Sequence, residues 1–331
     1  MYDIESFIAQ ARSITHLAHL LNIPRSTLRD YLAKNKLPTD NITALSKQVK
    51  PKQETSNIDR LIEIAKLKQK DSLVHQQYEF TIERPDEPVV FILWGDQHIG
   101  AGGTNHVGLK NEVLAIKALR ETNPNTILAL NGDLIDGYFA GSKHSNNDQV
   151  LDIDEQRQFA RWMLSELKPE IALSADHEAW SIDSNLDLNF TKDFCKDQGI
   201  NYAQWQAKLT VKFDNKLERT ILVNHRYPGR TKLNPVKHLQ ALHNERGPAD
   251  VVCCGHYHSA PGAYWMHPYR QNEDKFIGLQ NGTHKLGDSF ASKIGDLIGE
   301  YGIPAAVLMP NGDMYPFDHY SHAMAWLEKG E

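Results

Sequence analysis

Short apolar runs recur between residues 89 and 254, and five of them lead directly into a residue that can bind a metal ion. Uninterrupted apolar runs of this length are typical of strands that are buried on both faces in a parallel sheet. Ligand sites in α/β proteins lie beyond the carboxyl ends of such strands, so the pattern predicts one shared site in a mixed α/β domain. The runs and the candidate ligands after them are residues 89–94 with Asp96 and His98, residues 127–130 with Asp133 and Asp136, residues 171–173 with Asp176 and His177, residues 221–223 with His225, and residues 251–254 with His256 and His258.

Helix and hairpin patterns lie between and after these runs. An Asp before an apolar run with helical spacing favours an N-cap, and Asp-Asn or Asn-Gly-Asp between two strand patterns favours a hairpin turn. The expected elements are a helix over residues 106–121, a helix capped by Asp152 and ending near Leu167, a hairpin of residues 202–213 and 219–223, and a hairpin of residues 305–309 and 314–317.

The amino-terminal part of the chain has a helical period instead. Two short helices between residues 14 and 36, broken at residues 22–24, would share one apolar face made of Leu17, Ala18, Leu21, Ile23, Leu28 and Tyr31. A polar stretch with prolines follows, and an amphipathic pattern over residues 57–69 predicts a further helix. The expected parts of the chain are a small all-α domain of residues 1–40, a basic linker with an amphipathic helix of residues 41–85, and a main domain of residues 86–331.

The spacing of the amino-terminal apolar residues resembles the helix-turn-helix of DNA-binding proteins. The resemblance implies that the second helix presents its polar residues to a DNA major groove or to phosphates, and these are Arg25, Ser26, Thr27, Arg29 and Lys34. The lysine-rich linker would add attraction for phosphates without reading the base sequence. The alternative is a small helical hairpin that serves packing or assembly and keeps its charges in water.

Composition and cysteine content narrow the class of protein. The chain has 331 residues, a net charge of −6 and 40% hydrophobic residues, which is ordinary for a globular protein. The cysteines are Cys195, Cys253 and Cys254, and an odd number with two adjacent in a buried strand argues against a disulfide framework. The first residues lack a signal-peptide pattern, and no apolar run is long enough to span a bilayer. We therefore expect a cytoplasmic protein with no membrane partner.

The candidate ligands are carboxylates and imidazoles, which suit manganese, iron or zinc better than calcium. Their order is Asp-x-His, Gly-Asp-x-x-Asp, x-(Asn or Asp)-His-Glu, His and Gly-His-x-His, and this order resembles the calcineurin-like metallophosphoesterase superfamily over about residues 89–331. The resemblance implies a four-layer α/β/β/α sandwich and two divalent metal ions. Manganese is the first choice, and iron, zinc, nickel and cobalt are the alternatives.

The resemblance also implies a role for each residue of the site. One metal would be bound by Asp96, His98 and His258, the other by Asp176, His225 and His256, and both by a bridging Asp133. His177 would donate a proton to the leaving oxygen or stabilise charge on the phosphate, and Asp136 would orient a ligating imidazole. A hydroxide formed from water at the two metals would be the nucleophile. A carboxylate between the ions is also expected on chemical grounds, because it offsets their mutual repulsion.

One motif departs from the superfamily pattern, because Ala-Asp-His stands at residues 175–177 where Gly-Asn-His is usual. The added negative charge of Asp176 should tighten metal binding and reduce the attraction for phosphate. Protein phosphatases of the superfamily carry Arg where Gly137 and Ser174 stand, and purple acid phosphatases carry a tyrosine ligand at the place of Asp136. The motifs more closely resemble nuclease subunits of double-strand-break repair complexes and phage-encoded phosphoesterases.

Four residues near the motifs are candidates for binding substrate. Arg226 and Arg230 follow a ligand and could hold phosphates with their planar guanidinium groups, while Tyr138 and His144 could line the pocket. An ordinary solvated or packed side chain is the alternative for each of them.

The expected function is a metal-dependent DNA nuclease in the cytoplasm of a bacterium or a phage-infected cell. One alternative is a phosphatase or phosphodiesterase for small nucleotides or cyclic nucleotides, whose helical domain serves assembly. The other is a DNA-binding regulator with a structural metal site. A homo-oligomer is left open.

Overall fold

The computed structural model describes residues 11–21, 23–34, 37, 39–41, 78–137, 148–180, 190–231, 233–269, 274–287 and 299–329. The chain divides into two compact units, Met1–His75 and Gln76–Glu331. We refer to them as the amino-terminal unit and the main unit.

The described part of the amino-terminal unit contains two short helices, α1 (Ile14–Leu20) and α2 (Arg25–Lys34), as the sequence predicts. The Ser13 side chain caps α1 by accepting a hydrogen bond from the backbone N–H of His16. The two helices share one apolar cluster, whose buried members are Ile14, Leu17, Ala18, Leu28 and Leu32. The helix predicted over residues 57–69 lies outside the described residues.

The described part of the main unit contains twelve strands and six helices. The helices are α3 (His106–Thr122), α4 (Ile153–Leu167), α5 (Asp176–Trp180), α6 (Phe190–Gln198), α7 (Lys237–Arg246) and α8 (Tyr320–Lys329). The strands are β1 (Tyr78–Arg84), β2 (Val89–Trp94), β3 (Thr126–Asn131), β4 (Ile171–Ser174), β5 (Asn201–Gln204), β6 (Gln206–Phe213), β7 (Glu218–Asn224), β8 (Val251–Cys254), β9 (Gly262–Met266), β10 (Phe276–Gln280), β11 (Ala305–Leu308) and β12 (Met314–Phe317).

The strands form two six-stranded mixed sheets, which places the main unit in the mixed α/β class. Sheet A has the order β1-β6-β7-β8-β10-β9, and sheet B has the order β12-β11-β2-β3-β4-β5. All five apolar runs are strands, as predicted. They are divided between the sheets: β2, β3 and β4 are parallel neighbours in sheet B, and β7 and β8 are parallel neighbours in sheet A.

Three apolar clusters in the described part of the main unit join the sheets to each other and to the helices. One joins alternate residues of both sheets, such as Phe91 of β2 with Leu209 of β6 and Val251 of β8. A second joins the intervening residues of β2, such as Ile92, to helices α3, α4, α6 and α8. A third packs Leu242 of α7 against sheet A. Because β2 and β3 are fully buried along their length, they read as continuous apolar runs rather than alternating ones.

The predictions for α3 and α4 are confirmed. Asp152 and Glu155 form a capping box at the start of α4, in which each side chain accepts a hydrogen bond from the backbone N–H of the other. The hairpin predicted after residue 305 is also confirmed, since β11 and β12 pair in an antiparallel manner.

The other hairpin prediction is partly wrong. Strands β6 and β7 do pair in an antiparallel manner, but the predicted first strand is interrupted at Trp205, whose φ is 68°. The residues before it form β5, which pairs with β4 in sheet B. Strand β1 also begins at Tyr78 and pairs with β6, so sheet A starts upstream of the boundary predicted at residue 86.

In the parts of the chain that the structure describes, no helix combines the length and apolar character needed to cross a bilayer.

Candidate metal centre

The predicted ligands follow strand ends of both sheets and come together at one place. Among the residues that the structure describes, three groups of side chains each have ligand atoms within 4.8 Å of one another. The groups are Asp96 with His98 and His258, His98 with Asp136 and His177, and Asp133 with His225 and His256. These buried Asp and His groups lie at distances compatible with a metal site.

The backbone at the site is strained. Five of the predicted ligands have a positive φ although they are not glycine: Asp96 (55°), His98 (48°), Asp133 (52°), His256 (69°) and His258 (54°). Such conformations are unfavourable for residues with a side chain and persist only where the surroundings impose them. Five of the nine described non-glycine residues with positive φ are predicted ligands, so the unfavourable conformations are concentrated at this site.

The first half of the site contains Asp96, His98 and His258. The Nδ1 atom of His98 lies 3.0 Å from Oδ1 of Asp136, so this nitrogen carries the hydrogen and the Nε2 lone pair of His98 faces inward. The Nε2 atom of His258 lies 2.9 Å from Nε2 of His98 and 3.2 Å from Oδ1 of Asp96. Lone pairs and a carboxylate oxygen therefore converge, and a proton or a cation between them satisfies all three.

The second half contains Asp133, Asp176, His225 and His256. The Nδ1 of His225 donates to the backbone carbonyl of Asn131 at 2.6 Å, and its Nε2 lies 3.2 Å from Oδ2 of Asp133. The Nδ1 of His256 lies 3.2 Å from Oδ2 of Asp176. Nε2 of His225 and Oδ2 of Asp176 are both buried, and among the described residues neither has a polar partner closer than these contacts at 3.2 Å. Buried polar atoms are normally paired, so these two fit a site that a cation completes.

The surroundings shift the pKa values of His98 and His225 in opposite directions. Burial and the charge of His177 lower the pKa of His98 to about 3, so His98 is neutral at neutral pH, as a metal ligand must be. Burial alone would lower the pKa of His225, but the carboxylate of Asp133 raises this pKa to about 10. Burial raises the pKa of Asp96, yet the hydrogen bond from His258 and the charge of His225 together lower it to about 2. The centre therefore holds ionised carboxylates and attracts positive charge.

His177 lies at the start of α5, beside the two halves of the site. Its backbone N–H donates to Oδ1 of Asp133 at 2.9 Å, and its ring Nδ1 donates to the backbone carbonyl of Asp136. The ring Nε2 lies 4.0 Å from Oδ2 of Asp133. Because a carbonyl only accepts hydrogen bonds, Nδ1 carries the hydrogen and Nε2 is the atom that can take up and release a proton.

The carboxylate of Asp136 meets the imidazole of His98, which is the contact expected of a residue that orients a ligand. The same carboxylate also accepts hydrogen bonds from Gln149 and from the buried Lys285. Burial raises the pKa of Asp136, but the hydrogen bond from His98 and the nearby charges, including Lys285, outweigh burial and lower the pKa below its usual range.

Three supporting residues were not assigned a role from the sequence. The Glu178 carboxylate accepts hydrogen bonds from the backbone N–H groups of Asp133 and Ala175 at 3.0 and 2.9 Å. The Asn281 side chain donates to Oδ2 of Asp96 at 2.6 Å. The third is Lys285, whose Nζ donates to Oδ1 of Asp136 at 2.9 Å. Glu178 belongs to the third motif, which is its signal in the sequence.

The candidate substrate residues have different surroundings. Arg226 is exposed, with its guanidinium 4.0 Å from Oδ2 of Asp176. Arg230 instead donates to Oγ of Ser259 and lies over the ring of Tyr257, 5.1 Å from its centroid. Tyr138 and His144 lie outside the described residues.

The remaining candidates also have defined positions. On α2 the proposed DNA-binding side chains are all exposed, and they are Arg25, Ser26, Thr27, Arg29 and Lys34. Arg29 forms an ion pair with Asp40. Cys253 and Cys254 are free thiols buried in two different apolar clusters, and neither belongs to a ligand group.

Comparison with known protein families and with curated proteins found no match to this chain.

Proposed function

We propose that this chain is a divalent-metal-dependent phosphodiester hydrolase that acts on DNA. The observation that carries the proposal is the convergence of Asp and His side chains from strand ends of both sheets into three groups of the described residues, two of which share His98. Nε2 of His225, which belongs to one group, and Oδ2 of Asp176, which lies beside it, are both buried with no polar partner closer than 3.2 Å among the described residues. Adjacent metal ions that clamp a phosphate need such a mixture of carboxylate and imidazole ligands.

The proposed fold is a four-layer α/β/β/α sandwich of the calcineurin-like metallophosphoesterase type. Support comes from the apolar clusters, one of which joins the two sheets while the others join helices to sheet B and to sheet A. The proposed role of the amino-terminal unit is that of a helix-turn-helix. Its support is the shared apolar face of α1 and α2 and the exposed basic residues of α2.

The ligands divide into two proposed sets around a shared carboxylate. Asp96, His98 and His258 would hold one ion, Asp176, His225 and His256 would hold the other, and Asp133 would contact both. Manganese is the proposed metal, because Asp and His without thiolates suit it. Two divalent ions at this position would lower the pKa of water and offset the negative charge of a phosphate.

The chain's own residues would position and protonate the substrate. His177 has its Nδ1 fixed by the carbonyl of Asp136, which leaves Nε2 to donate a proton to a leaving oxygen. Arg226 is exposed beside Asp176, where its guanidinium can reach a phosphate oxygen. Its positive charge also offsets the added carboxylate of Asp176. A substrate role for Arg230 stays a prediction.

The test of the proposed function is a panel of substrates incubated with the intact protein and added Mn²⁺. Linear, circular and single-stranded DNA are compared with mononucleotides, cyclic nucleotides and a generic phosphodiester. The proposal predicts that DNA is cleaved with the highest kcat/KM. Preferred cleavage of mononucleotides or cyclic nucleotides would favour the small-molecule enzyme instead, and DNA binding without cleavage of any substrate would favour the regulator.

The proposed role of the amino-terminal unit in DNA binding is tested by removing residues 1–50. This deletion spares the proposed metal ligands, because all of them lie after residue 89. Cleavage of the generic phosphodiester should be unchanged, while DNA binding and cleavage should weaken. Arg25→Ala combined with Arg29→Ala should reproduce much of this loss, and binding by the intact protein should fall steeply with salt. Equal DNA cleavage by the full and shortened chains would assign the amino-terminal unit to assembly.

The proposed location is the cytoplasm of a bacterium or a phage-infected cell, and its support is the odd number of cysteines, two of them adjacent in β8, which argues against a disulfide framework.

A further inference from the structure

The loop between β8 and β9, residues 255–260, carries two of the proposed ligands in an unfavourable backbone conformation. His256, His258 and Ala260 have φ values of 69°, 54° and 52°. Three alternate residues with side chains therefore adopt the left-handed region within one short loop. A loop of this kind keeps its shape only if contacts from outside it outweigh the local preference of the backbone.

Several contacts from outside hold the ligand side of this loop. The backbone N–H of His256 donates to the Asp96 carboxylate at 3.0 Å. The carbonyl of His258 accepts from the backbone N–H of Glu300 at 2.7 Å, and the Glu300 carboxylate accepts from the N–H of Ala260 at 3.1 Å. Each of these contacts fixes a backbone group of a residue with positive φ.

Arg230 contacts the residues that alternate with the ligands. Its guanidinium donates to Oγ of Ser259, which is 6% exposed, and lies 5.1 Å from the centroid of the Tyr257 ring. The hydroxyl of Tyr257 donates to the backbone carbonyl of Tyr227, so the ring is fixed at its far end as well. One planar cation therefore joins the segment after β7 to the two side chains that flank His258.

We propose that Arg230 is a positioning residue that holds loop 255–260 in the conformation in which His256 and His258 bind metal. The proposal rests on the proposed function in one respect, which is that these two histidines are metal ligands. It makes Arg230 part of the structure that supports the ligands, while the exposed Arg226 stays the proposed substrate contact.

The first measurement is amide hydrogen exchange of residues 255–260 in the metal-free, full-length protein. In the folded protein, the backbone N–H groups of Gly255, His256 and Ala260 donate to acceptors outside the loop. Their exchange rates therefore report on opening of the loop. Arg230→Met should speed their exchange by about tenfold, because a partly desolvated cation–aromatic contact and a hydrogen bond are lost. Arg226→Met is the matched control and should leave this exchange unchanged. Arg230→Lys keeps the charge but not the planar group, and it should give an intermediate rate.

The second measurement is Mn²⁺ affinity by equilibrium dialysis in the absence of substrate. Arg230→Met should weaken binding by about 10–100-fold, which is the usual effect of removing a residue that orients ligands. Unchanged exchange and unchanged Mn²⁺ affinity, together with a raised KM, would overturn the proposal and make Arg230 a substrate contact. If the intact protein binds no Mn²⁺, the proposed function fails, and the exchange rates still decide whether Arg230 holds the loop. If Arg230→Met does not fold, Arg230→Lys decides by the same two measurements.

Discussion

The Nζ atom of Lys285 lies 2.9 Å from Oδ1 of Asp136, and the same oxygen lies 3.0 Å from Nδ1 of the proposed ligand His98. Lys285 is 6% exposed and Asp136 is 1% exposed, so both charges are removed from water. A buried carboxylate is costly unless it is paired, and here a cation and an imidazole N–H share one of its oxygens. The lysine therefore helps to fix the residue that orients His98.

Breaking this pair should strongly destabilise the main unit. Lys285→Met leaves Asp136 without its cationic partner, and loss of one member of a buried pair costs about 3–5 kcal/mol of the free energy of unfolding. Lys285→Arg should recover part of the loss. Chemical denaturation of the metal-free protein measures these changes.

The control is Lys117→Met, which removes a lysine that pairs with Glu166 at 2.8 Å but is 40% exposed. The change in the free energy of unfolding caused by Lys117→Met should be much smaller than that caused by Lys285→Met, because exposed ion pairs contribute little. Equal stability of the Lys285→Met and Lys117→Met proteins would contradict a structural role for the buried pair.

Substitutions of His177 and Asp133 should have different effects on turnover and on metal binding. His177→Asn removes the proposed proton donor, which is not one of the proposed metal ligands. Bound metal should therefore stay while kcat falls by about 10²–10⁴-fold. Asp133→Asn should lose metal and activity together, because the shared oxygen ligand loses its charge. Elemental analysis beside kinetics makes the comparison, with the exposed His322→Asn as the control. Loss of metal from His177→Asn would show that its assigned role is wrong.

Asp176→Asn tests the departure from the superfamily pattern. Removing a negative charge beside the phosphate site should lower KM, while loss of a charged oxygen ligand should weaken Mn²⁺ binding by about tenfold or more. Asp154→Asn, at an Asp that is 88% exposed on α4, should change neither quantity. If Asp176→Asn also leaves both unchanged, Asp176 does not contact the metal.

Metal binding should release a proton and become tighter as the pH rises. The pKa of His225 is raised to about 10, so this residue is protonated in the metal-free protein at neutral pH and must lose its proton to bind metal. His98, with a pKa of about 3, is already neutral and releases none. Mn²⁺ affinity should therefore rise by about tenfold per pH unit between about pH 6 and 8. Titration calorimetry in buffers of different ionisation enthalpy counts the protons, and a release of zero would contradict a protonated His225 in the metal-free site.

The strands that lead to the site could be predicted because their environment leaves a local trace. Strands β2 and β3 are buried on both faces, so nearly every position is apolar. The division of the five runs between two sheets could not be predicted, because strand pairing depends on distant parts of the chain. The break at Trp205 could not be predicted either, because β5 and β6 are adjacent in the sequence and have similar strand patterns.

The candidate ligands could be found because few structural roles require Asp and His at successive strand ends. The supporting residues could not be found in the same way. Asn281 and Lys285 lie in a polar segment after β10, and only the folded chain brings them to Asp96 and Asp136. Arg230 and Arg226 are alike in the sequence, and only their tertiary contacts distinguish them.

The most direct test of the proposed function is DNA hydrolysis by the full-length protein after chelator treatment, measured before and after Mn²⁺ is added. The proposed site predicts no hydrolysis by the metal-free protein, recovery when Mn²⁺ is added, and no recovery in Asp133→Asn under the same conditions. Undiminished hydrolysis in the presence of chelator, or full recovery by Asp133→Asn, would contradict a metal-dependent hydrolase built on these ligands.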